Sequence, residues 1–507
     1  MLTERKTAKA LYAEMQATRE PYLARARRCA ELTIPYLLPP EGTRGQDLPT
    51  PWQALGAMGV NTLANKITLA LMPPNTPFFK LRLQASTKMA VNQAGAKQDV
   101  DQLMVQFENR IMEAVDDSSD RVAVVEGVKQ LIVAGNVLVY QPPSGATMNV
   151  YKLDQYVAKR DRKGNLLRVV IKECISALAV PDELKAAVET ELKDHKTTDN
   201  TVEIYTVIER MNRLHYQVWQ EICDQKVPRS EGILLADTMP YQALRWGRID
   251  GEDYGRGLVE EYLGDLTTLE GLQKAVVEAS AAAAKLIFLR NPGSATTAQE
   301  FAEAENGDVV DGLENDLKAV QANKLQDMRA AQESISKIEG RLAKAFLMVS
   351  SVQRQAERVT AEEIRLMAND LEDSLGGIYS QLTLEFQLPY LKRKIALLQM
   401  QNQLPHFPKG SVAPTIVTGI AALGRNHEVT RIMAWAQACS ALVGPEEFAR
   451  RANSESLFKT LGTAYGVEVS DHVKTNEQMA AEAQAQQRAQ LTQSVAPEIV
   501  KQQTQTK

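Results

Sequence analysis

Two arginines four residues apart, Arg354 and Arg358, stand directly ahead of Thr360 and Glu363. The last two form a T-x-x-E capping box, in which hydroxyl and carboxylate each satisfy a free backbone N–H of a first helical turn. Apolar positions then recur at Ile364, Met367, Leu371, Leu375, Ile378 and Leu382. Those steps of three and four line one face of a helix. The segment from Val352 to Gly377 therefore reads as a rigid strut with a basic loop at its tip, suited to touching a polyanion without gripping it. An alternative reading has either arginine paired with Glu357 or Glu362.

Other chemistry is missing. There is no G-x-x-x-x-G-K-[ST] loop to cradle phosphates, which argues against nucleotide hydrolysis. Tyr254-Gly-Arg-Gly257 lacks the third glycine of a dinucleotide turn and reads as a tight turn. His195, His215, His406, His427 and His472 share no ligand spacing with one another or with a cysteine, so neither a metal nor another cofactor is expected. Adjacent acids such as Glu260-Glu261 and Glu446-Glu447 point about 100° apart on a helix and do not build a paired-carboxylate site. No G-x-S-x-G elbow occurs. The chain carries no recognisable enzyme signature.

The 507 residues suggest about three lobes, and the 44% hydrophobic and 24% charged fractions are those of an ordinary globular chain. A net charge of −5 rules out a generally basic nucleic-acid coat, so contact with DNA must come from local patches. Cys29, Cys174, Cys223 and Cys439 are far apart, which fits free thiols in a reducing compartment. No apolar run reaches the roughly 18 residues of a membrane span. The first residues lack an apolar signal core, so export by that route is not indicated.

The elements that must position any site are mainly helical. Helices are expected over residues 6–34, Trp52–Leu71, Asp99–Val115 and Arg121–Ala134, separated by proline clusters. From Gly135 to about residue 250 the texture turns β-rich. Val137–Tyr140 is a strand, and Lys163-Gly164-Asn165 turns into a strand over Leu166–Ile171. Met211-Asn212-Arg213 joins Val202–Ile208 to Leu214–Val218 as a hairpin, with a helix over Val180–Lys193 between the two β regions. Tyr254–Arg290 reads as one helix of roughly 37 residues, ~55 Å if unbroken. Its acids come first and its cations last, complementing the helix dipole. Glu300–Asp316 is acidic throughout. Pro389 interrupts the strut's pattern before Leu391–Leu404 resumes it, and shorter helices are expected over 414–465. The Gln- and Ala-rich tail from about Asn476 reads as frayed helix or disorder.

Four segments together resemble the portal, or head-to-tail connector, proteins of short-tailed, podovirus-type bacteriophages. They are TPWQALGAMGVNTLANKITLALMP (Thr50–Pro73), KQLIVAGNVLVY (Lys129–Tyr140), YGRGLVEEYLGDLTTLEGLQ (Tyr254–Gln273) and RVTAEEIRLMANDLEDSLGG (Arg358–Gly377). They occur in the family's order, and the likeness runs from about residue 5 to residue 430. It implies a mainly α, α+β subunit with wing, two-helix stem, clip and crown, assembled as a dodecameric ring at one capsid vertex. On this scheme residues 1–170 and 291–430 are wing and 171–195 and 254–290 are the stem helices. Residues 196–253 are then the clip, and 431–507 the crown and flexible tail.

The resemblance also implies a channel loop at about 349–362, where Arg358 is the first choice and Arg354 the second for the arginine that narrows the passage. Lys274 and Lys285, on the expected channel wall, are further candidates for phosphate contact. The implied partners are double-stranded viral DNA, the terminase motor, a tail adaptor protein, and scaffold, major capsid and internal core proteins. No membrane is involved, and no catalysis. The implied location is the portal vertex of the virion, after assembly in the host cytoplasm. The competing reading is a scaffold or tail-adaptor protein that never touches DNA.

Overall fold

The computed structural model describes residues 6–43, 46–74, 77–84, 97–195, 200–283, 287–290, 317–320, 325–348, 377–408, 411–416 and 435–442, with scattered positions between them. It is a mixed, mainly helical α+β chain. Helices α1 (Ala8–Glu31) and α2 (Leu55–Leu71) come first, then strand β1 (Phe79–Leu83). Next are α3 (Lys97–Asp117) and α4 (Asp120–Ala134). The β-rich stretch holds β2 (Asn136–Tyr140), β3 (Asn149–Tyr151), β4 (Tyr156–Arg160) and β5 (Leu166–Ser176). After α5 (Lys185–His195) come β6 (Thr201–Arg210), β7 (His215–Ile222), β8 (Gln225–Lys226), β9 (Gly232–Leu235) and β10 (Tyr241–Arg245). The remainder comprises α6 (Leu258–Glu261), α7 (Leu263–Ala283), β11 (Ile287–Arg290), β12 (Leu317–Val320), α8 (Leu325–Ala345), α9 (Gly377–Leu382), α10 (Leu388–Met400) and β13 (Val412–Ile416).

These elements form two compact units. The first lies within Met1–Met72, Ser118–Thr360 and Ser374–Leu397, and the second takes Pro73–Asp117 and the residues from Leu398 onward. In the first unit an antiparallel sheet runs β4-β5-β6-β7-β8, with β9 also on β7. The hairpin expected at Met211-Asn212-Arg213 forms as β6–β7, with Val207 opposite Trp219 and Ile208 opposite Val218. Helix α1 covers one face because Ala8, Leu11 and Tyr12 interlock with Val157, Val170, Val207 and Trp219. Glu221 fixes that crossing: its carboxylate accepts the Ala8 N–H at 2.6 Å and the Trp219 indole N–H at 2.7 Å. A three-stranded sheet, β10-β2-β3, stands beside α4. In the second unit β1 pairs with β13, and the Leu81 N–H donates to the Glu108 carboxylate on α3 at 2.6 Å.

Three expectations are corrected. Residues 171–195 are not one helix: β5 continues to Ser176, because Val169, Val170 and Ile171 are β-branched and Ile171 pairs with Thr206. Short 3-10 turns follow at Ala177–Ala179 and Asp182–Leu184, α-helix begins at Lys185, and Val180, Leu184 and Val188 pack on Val202, Ile204 and Ile222. Residues 254–290 are not one helix either. The tyrosine–glycine segment at 254–257 is not helical, α6 breaks from α7 at Tyr262, and Ile287–Arg290 is a strand paired with β12. At the start of the stretch 414–465, strand β13 replaces helix, with Pro414 opposite Leu81 in a two-stranded pairing that tolerates a missing donor. Residues 435–442 are helical. The strut's N-terminal part, most of the acidic run and the Gln-rich tail lie outside the described residues.

Pro389 does not end its helix. A π-helical turn, Thr383–Gln387, precedes α10, and the Leu388 N–H reaches back to the Thr383 carbonyl. The extra residue in that turn offsets the ladder just where proline supplies no donor and its ring crowds the carbonyl four residues back.

Candidate functional site

The best-organised site in the first unit is the joint at the base of α7. Three of the four family-like segments meet there. Gly135 ends α4 in the left-handed region at φ 72°. A Cβ there would lie 2.4 Å from the backbone of Arg256 and Gly257, so only glycine fits. Asn136 then clamps the facing chain. Its side-chain carbonyl accepts the Gly255 N–H at 2.7 Å, and its amide donates to the Gly255 carbonyl at 2.8 Å. Gly255 and Gly257 are equally tight, with hypothetical Cβ atoms within 2.8 Å of neighbouring backbone or side chain. The tyrosine–glycine segment is thus a backbone-on-backbone seam.

From this seam α7 departs, and Glu270 on it accepts the N–H groups of Trp52 (2.9 Å) and Gln53 (3.3 Å) just ahead of α2. A carboxylate there suits the positive end of the α2 dipole. Helix α8 lies antiparallel to α7: Arg341 donates to Asp265 at 2.8 Å, Gln273 to Glu339 at 3.4 Å, and Phe346 stands by Tyr262. Phe346 is fully buried because Gly59 of α2 leaves it room; a Cβ on Gly59 would sit 2.6 Å from its ring.

Two charged clusters hold the surrounding elements. Arg245 is 2% exposed and shares its surroundings with Arg160, Asp253 and Glu385, the last at 3.8 Å. Burial first, and the neighbouring Arg160 second, push its pKa down to about 10. Arg160 spreads its charge over the carbonyls of Ala243, Gly164 and Asp253. Asp120, at the start of α4, accepts from Tyr390 Oη (2.7 Å), Lys394 Nζ (3.2 Å), Ser118 Oγ (2.7 Å) and the Met148 N–H (3.0 Å). Desolvation, then the Asp120 charge, holds the Tyr390 hydroxyl well above its ordinary range.

Of the sequence-derived candidates, Lys274 is on α7, half exposed and 3.9 Å from Glu278. Arg354, Arg358 and Lys285 lie outside the described residues. Glycine spacing did flag the seam, but as a local turn; its partner Gly135 is over a hundred residues away. Asn136 and Glu270 carried no signal, because a clamp and a cap made across the fold leave no local pattern.

A buried backbone seam thus sets the antiparallel pair of α7 and α8, and the described residues contain no group of His, Cys, Asp and Glu able to hold a metal ion. The family model described as bacteriophage head to tail connecting protein matches residues 5–471, and the chain belongs to that family. It is 38% identical to the portal protein of Escherichia phage T7 over 477 residues, covering 93% of this chain and 89% of that one. The portal protein of Enterobacteria phage T3 is 39% identical over the same coverage. That of Enterobacteria phage SP6 is 32% identical over 495 residues, 96% of this chain and 95% of the relative.

Proposed function

We propose that twelve copies of this chain close into a ring at one capsid vertex and form the channel through which double-stranded DNA is packaged and ejected. The terminase motor docks there first and the tail adaptor later, with scaffold, major capsid and internal core proteins around the ring. Beyond family membership, one observation supports the reading. Helix α7 carries a polar stripe of Thr267, Glu270, Lys274 and Glu278, yet of its leucines and valines only Leu266 and Leu269 are buried. Apolar side chains left uncovered along a helix are surface that an assembly can bury. Val277 is 46% exposed in the single chain.

The packing favours α7 and α8 as the two-helix stem, in place of residues 171–195 and 254–290. They lie antiparallel, and the β11–β12 hairpin closes one end of the pair. The clip is then the segment between them, about 284–324, which includes the acidic run Glu300–Asp316. The β6–β7 hairpin belongs with the wing, since it shares a sheet with β4 and β5 beneath α1.

Arg358 remains the proposed channel collar, with Arg354 second and Lys274 and Lys285 as further phosphate contacts. Duplex DNA carries one charge per ~1.7 Å of axis, so a Debye length of ~10 Å spans about six phosphates. Twelve copies of Arg358 at one level match or exceed that charge. Twelve chains at −5 each leave the rest of the wall repulsive to DNA, so one ring of cations steadies the duplex without making sliding slow. Negative-stain images down the symmetry axis test the assembly: a central hole is expected, and compact particles without one refute it. Arg358→Ala is expected to leave rings intact and weaken retention of packaged DNA. Normal retention removes this residue from the role.

A further inference from the structure

Between α4 and the edge strand β3 the first unit opens a groove of about 600 Å³. Val122, Ala123 and Glu126 of α4 form one wall, and the consecutive residues Thr147–Tyr151 form the other. A run of consecutive strand residues can line a groove only if the strand's edge faces it. β3 is the last strand in its sheet, so that edge carries no further strand among the described elements. Val122 on the rim is 73% exposed. The groove's lining includes Glu126 and Glu173 and no lysine or arginine. Glu173 is half buried, with the Tyr151 hydroxyl as its hydrogen-bond partner, and desolvation pushes its pKa up.

We propose that this groove receives an extended polypeptide segment of a second protein, added as a strand to β3. Its apolar side chains meet Val122 and Ala123, and a lysine or arginine meets Glu173 and Glu126. Strand addition supplies affinity through the backbone, and the acids supply selectivity through charge. Two edge strands of another copy, β4 and β9, are poor donors of such a segment. The outer N–H groups of β4, at Ala158 and Arg160, are already taken by the Tyr254 hydroxyl and the Asp253 carboxylate. The short edge strand β9, Gly-Ile-Leu-Leu, carries no cation. The inference is independent of the channel reading.

The test uses the full-length assembled protein and a fluorescent, capped hexapeptide alternating valine and lysine, read by anisotropy. A glutamate-for-lysine peptide and a version N-methylated at alternate amides serve as controls. Binding of the lysine peptide alone is expected, weakened about tenfold by Glu173→Gln, since a charge-assisted hydrogen bond is replaced by a neutral one. Glu126→Gln gives a smaller loss, and circular dichroism of both variants should superimpose on that of the parent. No binding up to millimolar peptide, equal binding of the glutamate or methylated peptide, or indifference to both substitutions overturns the proposal.

Discussion

Two glycine-to-alanine changes at the C-terminal half of one helix should move stability in opposite directions. Gly135, the C-cap of α4, holds φ 72°, and its added Cβ would fall 2.4 Å from the Arg256–Gly257 backbone. The left-handed conformation alone costs alanine about 1 kcal/mol or more. Relief of the contact requires the seam to part, typically a further 1–3 kcal/mol. Gly135→Ala should therefore destabilise the first unit by roughly 2–4 kcal/mol. Gly127, eight residues earlier, is buried within α4, and a Cβ there meets nothing within 4 Å. It borders a small apolar void lined by Leu71, Val124, Val139, Leu244 and Phe386. Gly127→Ala should stabilise by about 1–1.5 kcal/mol, mostly helix propensity with some methyl burial.

The assay is urea unfolding followed by far-ultraviolet circular dichroism at fixed protein concentration, with ring assembly scored in parallel. Gly135→Ala should lower the midpoint and reduce assembly, because the seam sets the direction of α7. Gly127→Ala should raise the midpoint and leave assembly unchanged. If Gly135→Ala matched the parent, the backbone contact would not be what holds the seam. If Gly127→Ala destabilised, the void would be filled in solution.

Asp120→Ala should cost about 3–5 kcal/mol, since it leaves Lys394 buried without its carboxylate; adding Lys394→Met should recover part of the loss in the same urea titration. Burial pushes the Cys29 thiol up to about 12, while Cys174 is exposed. At mildly alkaline pH, iodoacetamide should modify Cys174 and spare Cys29, as peptide mapping would show. Desolvation, then Glu252, pushes Tyr22 up to about 12. An unfolded tyrosine ionises near 10, so between about 10 and 12 the unfolded chain binds fewer protons and stability falls as pH rises. Urea midpoints should decline through that window, and Tyr22→Phe should shallow the decline.

Local pattern revealed what local physics decides. Proline breaks and 3.6-residue spacing placed α1, α2, α3 and α4 within a few residues, and β-rich runs on either side of Met211-Asn212-Arg213 placed the β6–β7 hairpin. Long-range pairing was illegible. β1 and β13 are brief segments over three hundred residues apart, and β5 outran its expected end because β6 was there to pair with it. The helix expected to reach Arg290 failed at both ends for different reasons. At the start, Gly255 and Gly257 are fixed by Gly135, a contact no window of sequence contains. At the end, Ile287, Phe288 and Leu289 find strand partners in β12. The seam residues were visible as glycines, but their purpose needed the fold.

Helices α7 and α8 differ in a way that bears on what holds the proposed ring together. The apolar residues of α8 line one face, and Ile335, Ile338 and Leu342 are all buried within a single chain. α7 has more apolar surface than α8 can cover. Each chain also carries −5, so net charge does not draw copies together, and we propose that apolar contact along α7 closes the ring. Added salt screens the repulsion and leaves apolar burial intact, or strengthens it when the anion is sulfate. Ring stability to dilution should then rise with sodium chloride and rise further with sodium sulfate, as mass photometry would record. DNA contact by the collar should move the other way, losing affinity steadily as salt increases. Rings that dissolve into single chains as salt is raised would mean that ion pairs between copies close the ring, and the exposed face of α7 would need another occupant.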